Sequence, residues 1–177
     1  MVSAIRHWLI LAVLITALCG LVYLTAQQIY RQSANDPQIQ MAEDLASDLS
    51  SGKKIEEVLP KKEVDISKSL SPFIIIFDSQ KRPIASTAVL DGKIPLIPSG
   101  VFDYVAEHGE DRFTWQPKSG VRSATVVRKF AGSQSGYVLA GRSLREVEKR
   151  EERLSQHVGL ALISTLFATL LIKIFLR

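Results

Sequence analysis

Two stretches of the chain are apolar almost without interruption, and the region between them alternates. Trp8 to Ala26 (WLILAVLITALCGLVYLTA) is 19 residues without a charge, about 28 Å as an α-helix, which matches the hydrocarbon core of a bilayer. Val158 to Leu176 (VGLALISTLFATLLIKIFL) is the second, and its one charge, Lys173, lies close enough to the end to reach the headgroups. Each predicts a membrane-spanning helix. A cleaved secretory signal would account for Arg6 and His7 ahead of the first run. However, the run is too long for such a signal, and Leu24 stands at its exit where a small residue is required. A lipoprotein signal through Cys19 fails on Leu18 and on the apolar residues that continue past the cysteine.

Between the spans, Asp36 and Pro37 suit an N-cap and a first helical position, predicting a helix over 37–50. Its apolar residues Ile39, Ala42, Ala46 and Leu49 recur at three and four, with Met41 and Leu45 beside them, and Gly52 ends it. Pro37 equally fits a bend in one helix continuing from the first span. Residues 52–71 are charged and aperiodic, a linker with room for one helical turn. Phe73 to Phe77 is wholly apolar and β-branched or aromatic, the pattern of a strand buried on both faces and the expected sheet centre. Ile84 to Leu90 is a second strand closed by Asp91-Gly92, so this pair reads as a hairpin. Ser99 then caps a short helix with Val101, Phe102, Val105 and Ala106 inward and Gly109 at its end. Residues 112–116 and 121–130 form a second hairpin around Pro117 to Gly120, and Gly136 to Ala140 is the last strand. Ser143-Leu144-Arg145-Glu146 matches a capping box. From Ser143 to Leu176 there is no Pro, so one helix of about 50 Å is expected to run from the last strand through the bilayer.

The order predicts an α+β chain: an antiparallel sheet of about five strands with a long N-terminal helix, flanked by two transmembrane helices. Its organisation is a tail (1–7), a span (8–26), a folded domain (27–157), a span (158–176) and a last residue (177). Three segments carry a family likeness: the lead-in Ala34-Asn35-Asp36-Pro37-Gln38, the strand Phe73 to Asp78, and the exit Gly136-Tyr137-Val138-Leu139-Ala140-Gly141-Arg142-Ser143-Leu144-Arg145-Glu146-Val147-Glu148. Together they resemble the extracytoplasmic sensor region of bacterial sensor histidine kinases, whose PAS-like fold is also called single Cache. The resemblance covers the chain with both spans and names no ligand. Where a sensor kinase continues into a linker and kinase core, this sequence stops at Arg177.

Charge refines the picture. All 18 acidic residues lie within 31–157, and of the 22 Lys and Arg only Arg6, Lys173 and Arg177 lie outside it, so the middle is nearly neutral and has no footprint for nucleic acid. The basic short tails place both termini in the cytoplasm and the domain outside the inner membrane. The only cysteine, Cys19, sits in the first span, so no intrachain disulfide is available to an oxidising compartment.

Chemistry is sparse. His7, His108 and His157 have no partner at ligand spacing, so no metal is expected, and His157 is not a phosphoacceptor. Gly132 to Gly136 carries Gln134 where a nucleophile elbow needs Ser, so it reads as a loop. No phosphate-binding loop is present, and neither catalysis nor a cofactor is expected. The small residues Ala12, Thr16 and Gly20 in the first span and Ala161, Thr165 and Thr169 in the second line faces for close helix approach, within one chain, in a homodimer or with another membrane protein. Leu144, Val147, Leu154 and Val158 form a short seam interrupted by Glu151, and Arg145 to Arg153 reads as a solvated face. The resemblance implies a ligand against the outer sheet face, where Trp115, Arg122 and Arg128 are candidates for stacking and for binding a carboxylate, as against a core Trp and exposed Arg.

The expected function is a non-catalytic sensor or input module of bacterial signal transduction. Its expected partners are the lipid bilayer and a separate histidine kinase or other membrane protein, and the stimulus is unidentified. A truncated sensor kinase and an assembly subunit of an envelope complex are the alternatives.

Overall fold

A computed structural model describes residues 2–33, 36–132 and 134–175. The Ala34-Asn35 lead-in, Ser133, Leu176 and Arg177 lie outside the described residues. The fold is mixed helix and sheet. In chain order the helices are α1 (Val2–Ser33), α2 (Asp36–Ser50), α3 (Ile55–Val58), α4 (Ser99–His108) and α5 (Arg145–Phe175). The strands are β1 (Val64–Asp65), β2 (Phe73–Asp78), β3 (Pro83–Ser86), β4 (Ala88–Val89), β5 (Glu110–Lys118), β6 (Val121–Ala131) and β7 (Ser135–Ser143). The chain divides into two compact units, one of residues 1–32 with 147–177 and one of residues 33–146.

The second unit is built on a five-stranded antiparallel sheet in the order β3-β2-β7-β6-β5. The expected centre, Phe73 to Phe77, stands one strand off, and the last strand, β7, takes the middle. Both strands are nevertheless apolar on each face, because each face is covered. Over one face lies α2, whose Leu45, Ala46 and Leu49 pack on Ile74, Ile76, Phe130 and Val138, with Ala42 against Val126 and Ala140. Under the other, Phe73, Ile75, Phe77, Tyr137 and Leu139 meet Phe102 and Val105 of α4 together with Val64, Ile66, Ala88 and Ile97. Phe102 sits edge-on to both Phe77 (4.9 Å between ring centroids) and Tyr137 (5.1 Å). Burying a side chain of this size is worth about 1.5–3 kcal/mol, so the five buried residues of β2 anchor the domain.

Local departures have local causes. The expected strand 84–90 is split at Thr87, which turns inward to bond Ile74 through both its N–H (to O, 2.9 Å) and its Oγ1 (from N, 2.8 Å). β3 stays antiparallel to β2, while β4 leaves the sheet and pairs in parallel with β1, a strand concealed in the expected linker. Ser99 is the first helical residue of α4 and Pro98 occupies the cap without a side-chain bond. Ala106, expected inward, is exposed. Gly109 closes α4 with φ +84°, a conformation that Gly adopts at no steric cost. Ser143 belongs to β7, and its hydroxyl accepts the Arg145 N–H at 3.3 Å at the start of α5.

The first unit consists of α1 and α5, both long and apolar enough to cross a membrane. Trp8 Nε1 donates to Thr169 Oγ1 (3.3 Å) and Arg31 Nε donates to Glu151 Oε1 (3.1 Å), so the two helices pack antiparallel. The half-buried positions of α1 recur as Trp8, Ala12, Ile15, Cys19, Tyr23 and Ala26, and those of α5 as Glu151, Leu154, Val158, Leu162, Leu166 and Thr169. Of the expected small-residue faces, Ala12, Gly20 and Thr169 are half-buried. Thr16, Ala161 and Thr165 are exposed, and the two threonines turn their hydroxyls back to Ala12 O and Ala161 O. Glu151, which interrupts the seam on α5, is matched by Arg31 within the same chain.

Candidate functional site

A polar cluster of the domain lies where β7 gives way to α5. Only Leu144 separates the end of β7 from the start of α5, and its N–H is held by Arg122 O of β6 at 2.9 Å. The helix is then uninterrupted to Phe175. A central strand paired on both sides thus runs directly into a helix of 31 residues.

The segment after β1 clasps this junction. Asp65 Oδ1 accepts the Ser67 N–H (3.0 Å) and hydroxyl (2.6 Å), and Asp65 O accepts the N–H groups of Lys68 (3.1 Å) and Ser69 (2.8 Å). An Asp that bonds the backbone two residues on is a turn-former, and the turn presents two carbonyls to the junction. Arg145 donates to Lys68 O at 2.8 Å and Arg142 to Leu70 O at 3.4 Å. The Ser67 hydroxyl first and then its N–H hold the Asp65 carboxyl below its ordinary value of 3.8. Desolvation opposes them by less than either, and Lys68, at 3.3 Å, adds a further, smaller lowering. Charged donors to carbonyls make bonds stronger than neutral pairs, so this clasp ties the parallel β1/β4 pair, through its loop, to the strand-to-helix turn. Spacing alone did not single out these residues. The available signal was Asp65-Ile66-Ser67, a turn-forming Asx pattern inside a segment otherwise read as linker.

The three ligand candidates are not brought together. Trp115 is 5% exposed and packs beside Phe73, 6.3 Å between ring centroids, on the α4 side of the sheet. Arg122 and Arg128 lie on the opposite, α2 side. Arg128 is paired with Glu43 and with Glu110 (3.0 Å), joining α2 to β5 and β6. Of the histidines, His108 stacks on Tyr104 at 4.1 Å and meets its carbonyl at 3.0 Å, and His7 and His157 are exposed on α1 and α5. Among the described residues no three His, Cys, Asp or Glu are grouped to hold a metal ion. A separate open cleft of about 320 Å³ lies between the end of α2, α3 and Phe130, floored by Leu49, Ile55 and Phe130 and rimmed by Lys53, Lys54 and Glu56. Comparison of the chain with family models, with curated proteins and with solved structures finds no match.

Proposed function

We propose that this chain is a membrane-anchored, non-catalytic sensor or input module: a PAS-like, single Cache-type domain on the outer side of the bacterial inner membrane. In this reading α1 and α5 cross the bilayer, both termini are cytoplasmic, and the module acts through its helices on a separate membrane partner such as a histidine kinase. One observation supports it above the others. The central strand hands over to an apolar helix through a single residue, so a displacement of β7 has no flexible linker in which to dissipate. A helix carries such a displacement because every backbone bond lies within it. The filled core around Phe73, Phe102, Trp115 and Tyr137 supports an input delivered at the surface of the domain in preference to a small molecule enclosed in it.

The test has two arms. In a Cys19→Ala background, a cysteine placed at exposed Gln80 reacts with a membrane-impermeant maleimide added to spheroplasts. Protection of that site until lysis refutes the topology. A photo-crosslinker at lipid-exposed Ile163 or Phe167 of α5 captures one signalling membrane protein in cells, and Arg145→Ala changes the yield. Capture that ignores the junction variant, or no capture, refutes the transmission.

A further inference from the structure

α2 is held to the sheet unevenly along its length. Its second half carries Leu45, Ala46 and Leu49 onto Ile74, Ile76, Phe130 and Val138. Ser50 Oγ accepts the Ala131 N–H (3.3 Å), and Gly132 passes so close that a Cβ there would stand 2.5 Å from Ser50 O. Near the middle, Glu43 is paired with Arg128 of β6. The first two turns are held by much less. Their one fully buried apolar group is the methyl of Ala42, set on Val126 and Ala140, with Ile39 and Met41 partly buried beside it. Gln40 gives its amide to Asp44 (2.8 Å) within the helix itself. Among the described residues no hydrogen bond or ion pair ties residues 36–42 to the sheet.

Gln38 sharpens the contrast. It is 1% exposed on the buried face of α2, one turn before Ala42, and its Oε1 has no hydrogen-bond partner among the described residues. A buried acceptor without a donor raises the free energy of the closed arrangement. Lifting the turn hydrates that oxygen, so the segment is weakened at the residue that seats it. We infer that residues 36–42 are a latch: the first two turns of α2 open from the sheet as one unit about Glu43, while 45–50 stay seated. Opening uncovers Val126 and, on the central strand, Ala140, three residues before the end of β7. The inference deepens the proposed function by naming an element that moves against the strand leading into α5. Its place as an input rests on that reading, and the motion itself does not. α2 begins two residues beyond the last described residue of α1, so tension along the chain from α1 enters the domain at this turn. Segments that serve as switches are drawn from the weakly held part of a structure, and a shift in their population needs no enclosed ligand.

The experiment is native-state amide exchange of the full chain in nanodiscs. Gln38→Met is the main variant, because it keeps the length and flexibility of the side chain and removes the acceptor. In the unaltered chain, amides 41–43 are expected to share one protection factor, about tenfold or more below that of amides 47–49. Gln38→Met raises protection at 41–43 by about tenfold, the worth of relieving one orphaned buried acceptor, and leaves 47–49 and β2 unchanged. Ala42→Gly, which removes the one buried methyl, lowers protection at 41–43 alone. Equal protection along α2 overturns the latch, as does a graded decline from 43 to 41, the mark of simple end fraying. Reduced protection at 41–43 in Gln38→Met, or an Ala42→Gly effect spread through the whole domain, overturns it as well. The exchange pattern belongs to the domain and the maleimide labelling at Gln80 to the topology, so each reading fails without the other.

Discussion

Gly141→Ala puts the packing beneath the strand-to-helix turn to a direct test. Gly141 lies in β7 two residues before Ser143 and faces Phe73, which is 1% exposed. A Cβ at 141 would stand 2.3, 2.6 and 3.0 Å from three atoms of the Phe73 ring. Ordinary contact begins near 3.4 Å, so the ring must retreat by about 1 Å into a core already occupied by Trp115. Overfilling of this kind costs about 1–3 kcal/mol. The clash is with the far end of the ring, so Phe73→Leu, which has no atom there, removes most of it. In the double-mutant cycle the cost of Gly141→Ala therefore falls by at least about 1 kcal/mol in the Leu background, well above the ~0.3–0.5 kcal/mol within which independent sites add. Urea unfolding of the chain in nanodiscs, followed by Trp fluorescence and far-UV circular dichroism, measures all four corners. A Gly141→Ala cost below about 0.5 kcal/mol, or additivity with Phe73→Leu, would show that the ring does not rest on this glycine.

The clasp and the helix pair make further claims. Arg145→Ala removes the bond to Lys68 O, and its cost of about 1–2 kcal/mol should be local, seen as faster amide exchange over 66–71 with little change in β2. Asp65 has a lowered folded-state pKa. Its contribution is therefore complete at pH values above 3.8 and is lost as pH falls through the lowered value, so exchange over 66–71 rises with acid in that window and Asp65→Asn flattens the profile. Trp8→Phe deletes the bond to Thr169 and weakens the α1–α5 pair by about 0.6 kcal/mol. The Arg31/Glu151 double-mutant cycle gives under about 1 kcal/mol because Arg31 is exposed. Both are measurable as altered disulfide yield between cysteines engineered across the two helices.

The elements that sequence made legible are those with a long or uniform signal. Phe73 to Phe77, buried on both faces, announced a covered strand, and the three-four spacing of Ala42, Ala46 and Leu49 announced the face of α2 that meets the sheet. The apolar lengths of α1 and α5 were equally plain. What escaped was set by single side chains. Thr87 turned one strand into two by offering its hydroxyl to Ile74, and two residues, Val64 and Asp65, became a strand only because β4 was thereby released to pair with them. Arg145, grouped with the solvated run that follows it, has a carbonyl within reach, and that carbonyl is placed by an Asp 80 residues earlier.

The candidate ligand site turned on one residue of register. Arg122 and Arg128 are an even number apart on β6 and necessarily share a face. Continuing the pairing Lys118↔Val121 without interruption would set Trp115 opposite Ala124, on that same face, and the three side chains would converge. A bulge between Trp115 and Lys118 instead pairs Trp115 with Ser123, and a slip of one residue moves a side chain to the other side of the sheet. Pro117, which has no N–H for the ladder, sits within that bulge and marks where the regular register fails. Trp115 is accordingly delivered to the core beside Phe73 and the arginines to the α2 side, where Arg128 meets Glu43. A stacking ring and its cations were present in the sequence at plausible spacing. The bulge beside Pro117 sends them to opposite faces and leaves the Asp65 turn, with Arg142 and Arg145, as the polar cluster joined to the long helix.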